Sequence, residues 1–369
     1  MTTAFEERTR ACQRALADVD ADGVVLFPSS NLYYVSGFEE EPAERHLLLF
    51  VGRDGDPVFV APEMYATQLA EESWVTDVRT WADGEDPTEL AAEVLDELAI
   101  ADHVLLDDHM WALFTQDLRA LLPDASFGLA SEVFDGLRVR KDERELDALR
   151  RAGALSDRVS EEIRALGADA VELTEDELAR EISTRLADHG SEGLAFGSIV
   201  GAGPNGAKPH YRHGDHEIRA GEPVVLDFGG VVDGYPGDQT RTIVFAGDPP
   251  AGYEDVHETV RRALDAGVAA VEPGATAESV DRAARAVIEA AGYGDRFVHR
   301  TGHGVGLAVH EAPYVVEGNE ERLEPGMVFS VEPGIYLPGE YGVRIEDLVV
   351  VTEDGAERLN ESPRTWRAP

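Results

Sequence analysis

Residues 224–245 read VVLDFGGVVDGYPGDQTRTIVF, in which two apolar, strand-like runs flank a turn signal at Asp233-Gly234. A hairpin that turns at this point brings Asp227 and Asp238 to within about a residue of facing each other. Their carboxylates then lie close enough to share a cation. The stretch therefore predicts a hairpin that presents a pair of acidic side chains beside a sheet.

A second hairpin of the same design is predicted over residues 328–351, VFSVEPGIYLPGEYGVRIEDLVVV, where Glu332 and Glu346 are equidistant from Gly339. Four carboxylates gathered beside a sheet repel one another and raise one another's pKa unless a cation compensates. With one imidazole added, the donors suffice for two bridged metal ions. Oxygen-rich ligation favours Mn²⁺, with Co²⁺ or Fe²⁺ as alternatives.

Each hairpin follows a pair of predicted helices and a strand-rich segment. The helical pairs span roughly residues 143–166 and 175–189 before the first hairpin, and roughly residues 254–271 and 277–291 before the second. This repeat of helix pair, strands and hairpin predicts an α+β domain whose two halves are related by pseudo-twofold symmetry around a shared sheet.

The chain before this repeat has the alternating pattern of an α/β domain. Its helical and strand-like segments lie at residues 5–16, 23–27, 46–51 and 56–62. The segment VFDGLRVRK at residues 133–141 predicts a short strand that leads into the first charged helix of the repeat. We therefore expect an N-terminal domain of residues 1–137 and a second domain of residues 138–369.

The composition is that of a folded and strongly acidic protein. Its 369 residues are 43% hydrophobic, and 73 acidic against 32 basic residues give a net charge of −41. This charge argues against nucleic acid and anionic membrane surfaces as partners, because both bind through clustered Lys and Arg. Lys141 and Lys208 are the only lysines. We interpret the composition as that of a halophile's cytosolic protein, with an ordinary acidic protein as the alternative.

Neither a secretory signal nor a membrane segment is evident. The opening MTTAFEERTR is charged from Glu6 onward. No apolar run approaches the roughly 18 residues that a membrane span needs. The single cysteine, Cys12, excludes an intrachain disulfide, which fits a reducing compartment. We therefore expect a cytoplasmic protein.

Residues 301–313, TGHGVGLAVHEAP, hold two histidines seven positions apart. Three glycines within the stretch disfavour a helix. If the stretch is extended, an odd separation points His303 and His310 to opposite sides. The spacing alone leaves the roles of both histidines open.

A family resemblance rests on four runs, DFGGVVDGYPGDQTRT (227–242), GHGVGLAVHE (302–311), SVEPGIY (330–336) and VRIED (343–347). Together they resemble the ligand series of the pita-bread metallopeptidases, the group that contains methionine aminopeptidase, aminopeptidase P and prolidase. The resemblance covers roughly residues 140–360 and implies two divalent metal ions, held by Asp227, Asp238, His303, Glu332 and Glu346. It also implies that Asp238 and Glu346 bridge both ions, that Asp227 binds one, and that His303 and Glu332 bind the other.

The resemblance further implies catalytic and substrate-binding residues near the metals. Glu332 is expected to shuttle a proton, and His210 and His310 to hold the substrate carbonyl. His310 would face the substrate from the side of its stretch opposite His303. The remaining candidates for substrate binding are His299 and Arg344, with His213 as a further one.

Two short stretches need a separate interpretation. Pro236-Gly237 stand just before Asp238, where the family often has a small polar residue, which leaves the local strand geometry open. Residues 201–206, GAGPNG, satisfy the letters of a dinucleotide-binding G-x-G-x-x-G, but Pro209 prevents the helix that this motif requires. We expect this loop to shape the pocket beside His210.

The N-terminal sequence narrows the expected activity. PSSNLYYVSGF at residues 28–38 resembles the Asn-containing turn of the N-terminal domain that creatinase, prolidase and aminopeptidase P share and simple methionine aminopeptidases lack. The resemblance implies a homodimeric metallopeptidase that cleaves the Xaa-Pro bond of short proline-containing peptides, either as a dipeptidase or as an aminopeptidase P. Two alternatives are a creatinase-like amidinohydrolase that needs no metal, and a catalytically silent binding protein on the pita-bread fold. The complete set of five ligands argues against both.

If the net charge of −41 reflects adaptation to concentrated salt, raising the salt from about 0.1 M to beyond about 1 M should raise the thermal midpoint and the activity together. The Debye length falls from about 10 Å to about 3 Å over this range, so the surface carboxylates cease to repel one another. Thermal unfolding across a KCl series checks this prediction. An unchanged midpoint would leave the halophile interpretation without support.

Overall fold

The computed structural model describes residues 4–369, and the chain divides between Arg138 and Val139 into an N-terminal and a C-terminal unit. The helices of the N-terminal unit are α1 (Ala4–Asp18), α2 (Ser30–Ser36), α3 (Ala66–Glu72), α4 (Pro87–Glu97), α5 (Ala112–Leu121) and α6 (Ser131–Arg138). Its strands are β1 (Gly23–Leu26), β2 (Leu48–Gly52), β3 (Val58–Pro62), β4 (Asp77–Trp81), β5 (His103–Leu106) and β6 (Ser126–Leu129). Within residues 4–369, no helix combines the length and the apolar character that crossing a membrane requires.

The six strands of the N-terminal unit form one mixed sheet in the order β4-β3-β2-β1-β5-β6. Strand β1 runs antiparallel to β2 and parallel to β5. Every residue of β1, β2 and β3 is buried. Burial on both faces explains why their sequences are continuous apolar runs instead of alternating ones. The α/β fold expected for this part of the chain is confirmed.

Two local expectations for this unit are wrong. The strand expected ahead of the first charged helix is the helix α6, in which the adjacent Val133 and Phe134 are both buried, as one face of a helix allows and a strand with one buried face does not. The turn expected within PSSNLYYVSGF is the helix α2. The Ser29 hydroxyl caps its start by accepting a backbone hydrogen bond, and Gly37 ends it with a φ of 78°.

The C-terminal unit contains four α-helices and twelve strands among the residues described. Its helices are α7 (Glu143–Arg164), α8 (Glu175–Asp188), α9 (Tyr253–Ala269) and α10 (Ala277–Ala290). Its strands are β7 (Ile199–Ala202), β8 (Val224–Phe228), β9 (Val231–Val232), β10 (Tyr235–Pro236), β11 (Gln239–Ile243), β12 (Gly302–Gly304), β13 (Glu311–Val315), β14 (Val328–Val331), β15 (Gly334–Leu337), β16 (Tyr341–Arg344), β17 (Asp347–Thr352) and β18 (Gly355–Arg358). All four helices begin within about one residue of their predicted starts, where N-caps and apolar periodicity locate them.

The two halves of this unit repeat the same order of elements, which confirms the expected α+β fold. Helices α7 and α8 precede the antiparallel sheet β11-β8-β7, and helices α9 and α10 precede the antiparallel sheet β13-β12-β14-β17-β18. Each half also has a two-stranded hairpin, β9 with β10 and β15 with β16. Helices α9 and α10 bury Val260 and Val280 in one apolar cluster with Phe329 of β14.

The first hairpin places its two aspartates where the paired strands β8 and β11 meet the turn between them. Strand β8 pairs with β11 so that Asp227 lies opposite Thr240, and Asp238 immediately precedes β11. A Cβ on Gly229 would lie only 1.7 Å from the Gly237 carbonyl oxygen, and one on Gly237 would lie 2.7 Å from a backbone oxygen of α7. Glycine before Asp238 therefore lets the chain pass between β8 and α7, which accounts for the unusual residue at that position.

The second hairpin places its two glutamates symmetrically. Strand β15 pairs with β16 so that Gly334 lies opposite Arg344. Glu332 lies two residues before Gly334, and Glu346 lies two residues after Arg344. The two glutamates therefore leave the hairpin side by side. A Cβ on Gly342 in β16 would lie 1.9 Å from a backbone oxygen of the GAGPNG loop, so this loop packs directly on the hairpin.

Candidate active site

One cavity in the C-terminal unit, of about 350 Å³, gathers most of the residues that the sequence singles out. They share polar or ionisable side chains and come from the loop after β7, from β8 and the residue before β11, from β12 with the segments on either side of it, and from the second hairpin and its two ends. They are Asp227, Asp238, His303, Glu332, Glu346, His210, His299, His310 and Arg344. The fold thus brings four separate sequence motifs to one place.

His303 stands among the acidic side chains. Donor atoms of Asp238, His303 and Glu346 all lie within 4.8 Å of one another. His303 Nε2 lies 3.4 Å from Glu332 Oε1 and 3.7 Å from Asp238 Oδ2. His303 Nδ1 lies 3.2 Å from the Gly304 carbonyl oxygen. We assign the ring proton to Nδ1, which donates to this carbonyl, so the lone pair of Nε2 faces the carboxylates.

The donor set fits a divalent metal centre. A lone pair that faces carboxylate oxygens is unfavourable unless a proton or a metal ion lies between them. Burial, followed by the nearby His310, lowers the pKa of His303 to about 3, so the ring is neutral and available as a ligand. Asp227 Oδ1 is buried and has no hydrogen-bond partner among residues 4–369. Neutral imidazole and carboxylate oxygens are ligands suited to Mn²⁺, Fe²⁺ and Co²⁺.

Burial raises the pKa of three of the acidic side chains in the cavity. The pKa of Asp238 lies well above its ordinary value, and the charges of Asp227 and Glu332 add to the effect of burial. The pKa of Glu346 is raised by burial and then by Asp238. Burial raises the pKa of Glu332 to about 7. A divalent cation would favour the ionised forms and reverse these shifts.

Arg344 is buried beside Asp227, and its guanidinium has partners within the protein. Nη2 donates to Asp227 Oδ2 at 2.6 Å, Nη1 donates to the Tyr336 hydroxyl at 2.9 Å, and Nε donates to Thr240 Oγ1 at 3.1 Å. The Thr240 hydroxyl in turn donates to Glu346 Oε2 at 2.6 Å. The contact of Arg344 with substrate stays a prediction. Such a contact would compete with the hydrogen bonds by which Arg344 orients Asp227 directly and Glu346 through Thr240.

His303 and His310 lie on the same side of their stretch. Gly304 of β12 lies opposite Glu311 of the antiparallel strand β13, and the two imidazole centroids are 4.1 Å apart. The expectation that the rings face opposite sides is wrong, because the chain reverses between the two histidines. Burial and then the positive charge of Arg300 lower the pKa of His310, which favours a neutral ring.

The other three candidate histidines differ in their surroundings. His299 lines the cavity, and its Nε2 lies 2.8 Å from the Tyr336 hydroxyl. His210 also lines the cavity, from the loop that follows β7. His213 is not among the residues that line it. Its Nδ1 lies 2.6 Å from Asp176 Oδ1 at the start of α8 instead.

The structure adds two arginines that sequence patterns do not single out. Arg212 and Arg300 line the cavity, and neither has a hydrogen-bonded carboxylate partner among the residues described. The Arg300 guanidinium lies 4.5 Å from the centroid of the Tyr314 ring. The sequence offers one signal that they lie in the cavity: Arg212 is two residues after His210, and Arg300 is one residue after His299.

Known protein families and individual known proteins match this chain along nearly its whole length. Residues 147–353 match metallopeptidase family M24, and residues 8–140 match the creatinase/prolidase N-terminal domain. The chain is 41% identical over 366 residues to a probable dipeptidase PepE of Mycobacterium tuberculosis, with 97% of this chain and 95% of that protein covered. It is 37% identical over 367 residues to an Xaa-Pro dipeptidase of Lactobacillus helveticus, with 95% and 96% covered. A crystal structure of recombinant prolidase from Thermococcus sibiricus is similar at a TM-score of 0.95 and 34% identity, with 100% of both chains covered.

In the metal-free protein, the thermal midpoint should fall as the pH rises from about 5 to about 8. The folded protein holds the Glu332 carboxyl with a pKa of about 7, above that of an unfolded chain, so the folded state binds more protons over this range. The stabilisation is complete below the unfolded pKa and is lost as the pH passes 7, on the order of 3 kcal/mol for this group. Thermal unfolding of chelated protein measures it, with Glu332→Gln as the control that should have a shallower slope. Equal slopes in the two proteins would contradict the prediction.

Proposed function

Because the chain belongs to metallopeptidase family M24, we propose that it hydrolyses the Xaa-Pro bond of short peptides with the help of two divalent metal ions. The observation that carries the proposal is one cavity in which four carboxylates and a neutral imidazole lie beside three further histidines. The names of its relatives, a probable dipeptidase and an Xaa-Pro dipeptidase, support a dipeptide substrate.

Five side chains would hold the ions, for which Mn²⁺ is the first candidate and Co²⁺ or Fe²⁺ are alternatives. They are Asp227, Asp238, His303, Glu332 and Glu346. Asp238 and Glu346 would be the bridging ligands, and the grouping of their donor atoms with that of His303 within 4.8 Å supports this. When bound, such ions lower the pKa of water and polarise the scissile carbonyl.

Glu332 is the proposed proton shuttle. Its carboxyl group lines the cavity, with Oε1 3.4 Å from Nε2 of the proposed ligand His303, where it can take up a proton from water and pass it on. The Ser330 hydroxyl donates to Glu332 Oε1 at 3.3 Å and orients the carboxyl group. The transfer is needed because the amide nitrogen of the scissile bond must gain a proton as it leaves, and the proline nitrogen carries none of its own.

His210 and His310 are proposed to hold the carbonyl oxygen of the scissile bond. Both rings line the cavity, and His310 lies against the proposed ligand His303. The lowered pKa of His310 keeps the ring neutral, so that it presents one N–H donor and does not repel the metal ions. Donors already in place stabilise the charge that develops on this oxygen at little cost in reorganisation.

A dipeptide is the substrate that the charges of the cavity favour. Arg212 and Arg300 lack hydrogen-bonded carboxylate partners, whereas the Arg344 guanidinium is occupied by Asp227, Thr240 and Tyr336. The free carboxylate of a C-terminal proline would find a cation there, and a longer peptide would present an uncharged amide instead. We therefore favour a dipeptidase over an aminopeptidase P. The homodimer, the cytoplasmic location and the halophilic source stay predictions.

With Mn²⁺ present, the protein should hydrolyse Ala-Pro, leave Ala-Ala largely intact and cleave Ala-Pro-Ala more slowly. The Arg300→Met variant should raise KM for Ala-Pro about tenfold or more, because a hydrogen bond to a charged group contributes ~1.5–3 kcal/mol. It should leave KM for alanyl-prolinamide nearly unchanged. Initial rates give these values, and Arg296→Met, an exposed arginine that does not line the cavity, is the matched control.

Several outcomes would contradict parts of this proposal. Equal rates on Ala-Pro and Ala-Pro-Ala would make aminopeptidase P the better description. If Arg300→Met raised KM equally for Ala-Pro and for alanyl-prolinamide, Arg300 would not bind the substrate carboxylate. Full activity after exhaustive chelation would favour the creatinase-like alternative. Strong cleavage of Met-Ala without cleavage of either proline peptide would overturn the specificity.

A further inference from the structure

His210 lies on the segment of residues 203–211, which follows β7 and precedes β8. The segment starts with a short 3-10 helix, Gly203–Ala207, and not with the α-helix of a dinucleotide-binding loop. The His210 side chain is exposed, and no residue among those described forms a hydrogen bond with its ring. Its position over the cavity is therefore determined by the backbone on either side of it.

The two residues that flank His210 are each held by another side chain. The Pro209 carbonyl oxygen accepts a hydrogen bond from Arg344 Nη1 at 3.2 Å. The Tyr211 hydroxyl donates a hydrogen bond to Glu175 Oε2 at 2.9 Å. Arg344 belongs to the candidate metal centre, whereas Glu175 lies outside the cavity lining, in the first turn of α8.

Glu175 is fully buried and joins the two ends of the segment. Its Oε1 accepts hydrogen bonds from the Ala202 N–H at 2.8 Å and from Asn205 Nδ2 at 3.0 Å, while Oε2 accepts from Tyr211. Three donors offset the cost of burying this carboxylate. A single side chain thus fixes the start, the middle and the end of the segment that carries His210.

The first turn of α8 also holds the chain that follows. The N–H groups of Glu175 and Asp176 donate to the carbonyl oxygens of His216 at 3.0 Å and of Gly214 at 2.9 Å. The contact between His213 Nδ1 and Asp176 Oδ1, at 2.6 Å, lies in the same place. His213 therefore belongs to this support and not to the cavity wall.

Two features that the sequence singles out keep the segment compact. A Cβ on Gly206 would lie 2.9 Å from the Gly201 carbonyl oxygen, so the glycines of GAGPNG permit a close approach of the backbone. Lys208 Nζ donates to Asn205 Oδ1 at 2.8 Å and lies 4.7 Å from the centroid of the Tyr211 ring. One of the two lysines of the chain is thus part of the same structure.

We propose that Glu175 and Tyr211 are positioning residues that set the place of His210 over the cavity, and that loss of their hydrogen bond slows Xaa-Pro hydrolysis without altering the metal centre. The inference rests on the proposed function, because it takes His210 to contact the substrate. Catalysis tolerates little displacement, since a shift of ~1 Å can cost about a hundredfold in rate. Burial and the Glu175 carboxylate raise the pKa of Tyr211 to about 12, so its hydroxyl remains a donor across the neutral range.

The Tyr211→Phe variant removes this one hydrogen bond and keeps the ring. It should lower kcat/KM for Ala-Pro about tenfold, mainly through kcat, with the metal content of the wild type. Glu175→Gln, which keeps the shape and loses the charge, should act in the same direction. Tyr253→Phe is the matched control, because the Tyr253 hydroxyl is buried without a hydrogen-bond partner among the residues described. Tyr253→Phe should leave kcat/KM unchanged, and Tyr211→Phe should remain folded at the assay temperature, which its thermal midpoint checks.

A double-mutant cycle separates positioning from general stability. If Tyr211 acts through His210, adding Tyr211→Phe to His210→Ala should cause no further loss of kcat/KM. A double variant that loses the product of the two single effects would overturn the proposal.

Amide hydrogen exchange across residues 203–211 tests the same contact without any substrate. Exchange should become faster there in Tyr211→Phe and remain unchanged in Tyr253→Phe, and unchanged exchange in both would overturn the proposal. If the wild type does not cleave Ala-Pro, the proposed function fails, and exchange alone then decides whether Glu175 and Tyr211 hold the segment.

Discussion

The C-terminal unit depends on one electrostatic constraint, the burial of four carboxylates around a neutral imidazole in one cavity. Such groups are costly in a low-dielectric interior, and the raised pKa values of Asp238, Glu332 and Glu346 express that cost. The hairpins hold them there because glycines let the backbones approach closely, as at Gly229 and Gly237. The four carboxylates are therefore stable together in their ionised form only where a positive charge compensates them.

The neighbouring residues Glu346 and Asp347 show how the chain distributes this charge. Asp347 begins β17, and Arg241, Arg358 and Arg364 contact its carboxylate at 3.0, 2.6 and 2.7 Å. Burial opposes ionisation of Asp347, but the arginines hold its pKa below its ordinary value. Glu346 faces the cavity, and burial and Asp238 raise its pKa. One carboxylate is thus neutralised by the protein, and the next is left for a cation that the protein does not itself supply.

Much of the fold is readable from the sequence, and the limits have identifiable causes. The helices and the carboxylate pairs follow from caps, apolar periodicity and hairpin turns, which are local signals. The common orientation of His303 and His310 is not readable, because it depends on a chain reversal inside a glycine-rich stretch. The pairing of His213 with Asp176 and the access of Arg300 to the cavity arise from tertiary packing between segments far apart in the chain. The spacing of residues along the sequence does not predict such contacts.

The metal content of the purified chain is the most direct measurement of whether the carboxylate cluster is a two-cation site. After dialysis against Mn²⁺ and removal of free ions, elemental analysis should find close to two divalent ions per chain, as a bridged pair requires. Asp238→Ala and Glu346→Ala should each lose the second ion, because a bridging ligand serves both. Two ions per chain retained in either variant would contradict the assignment of these residues as bridges.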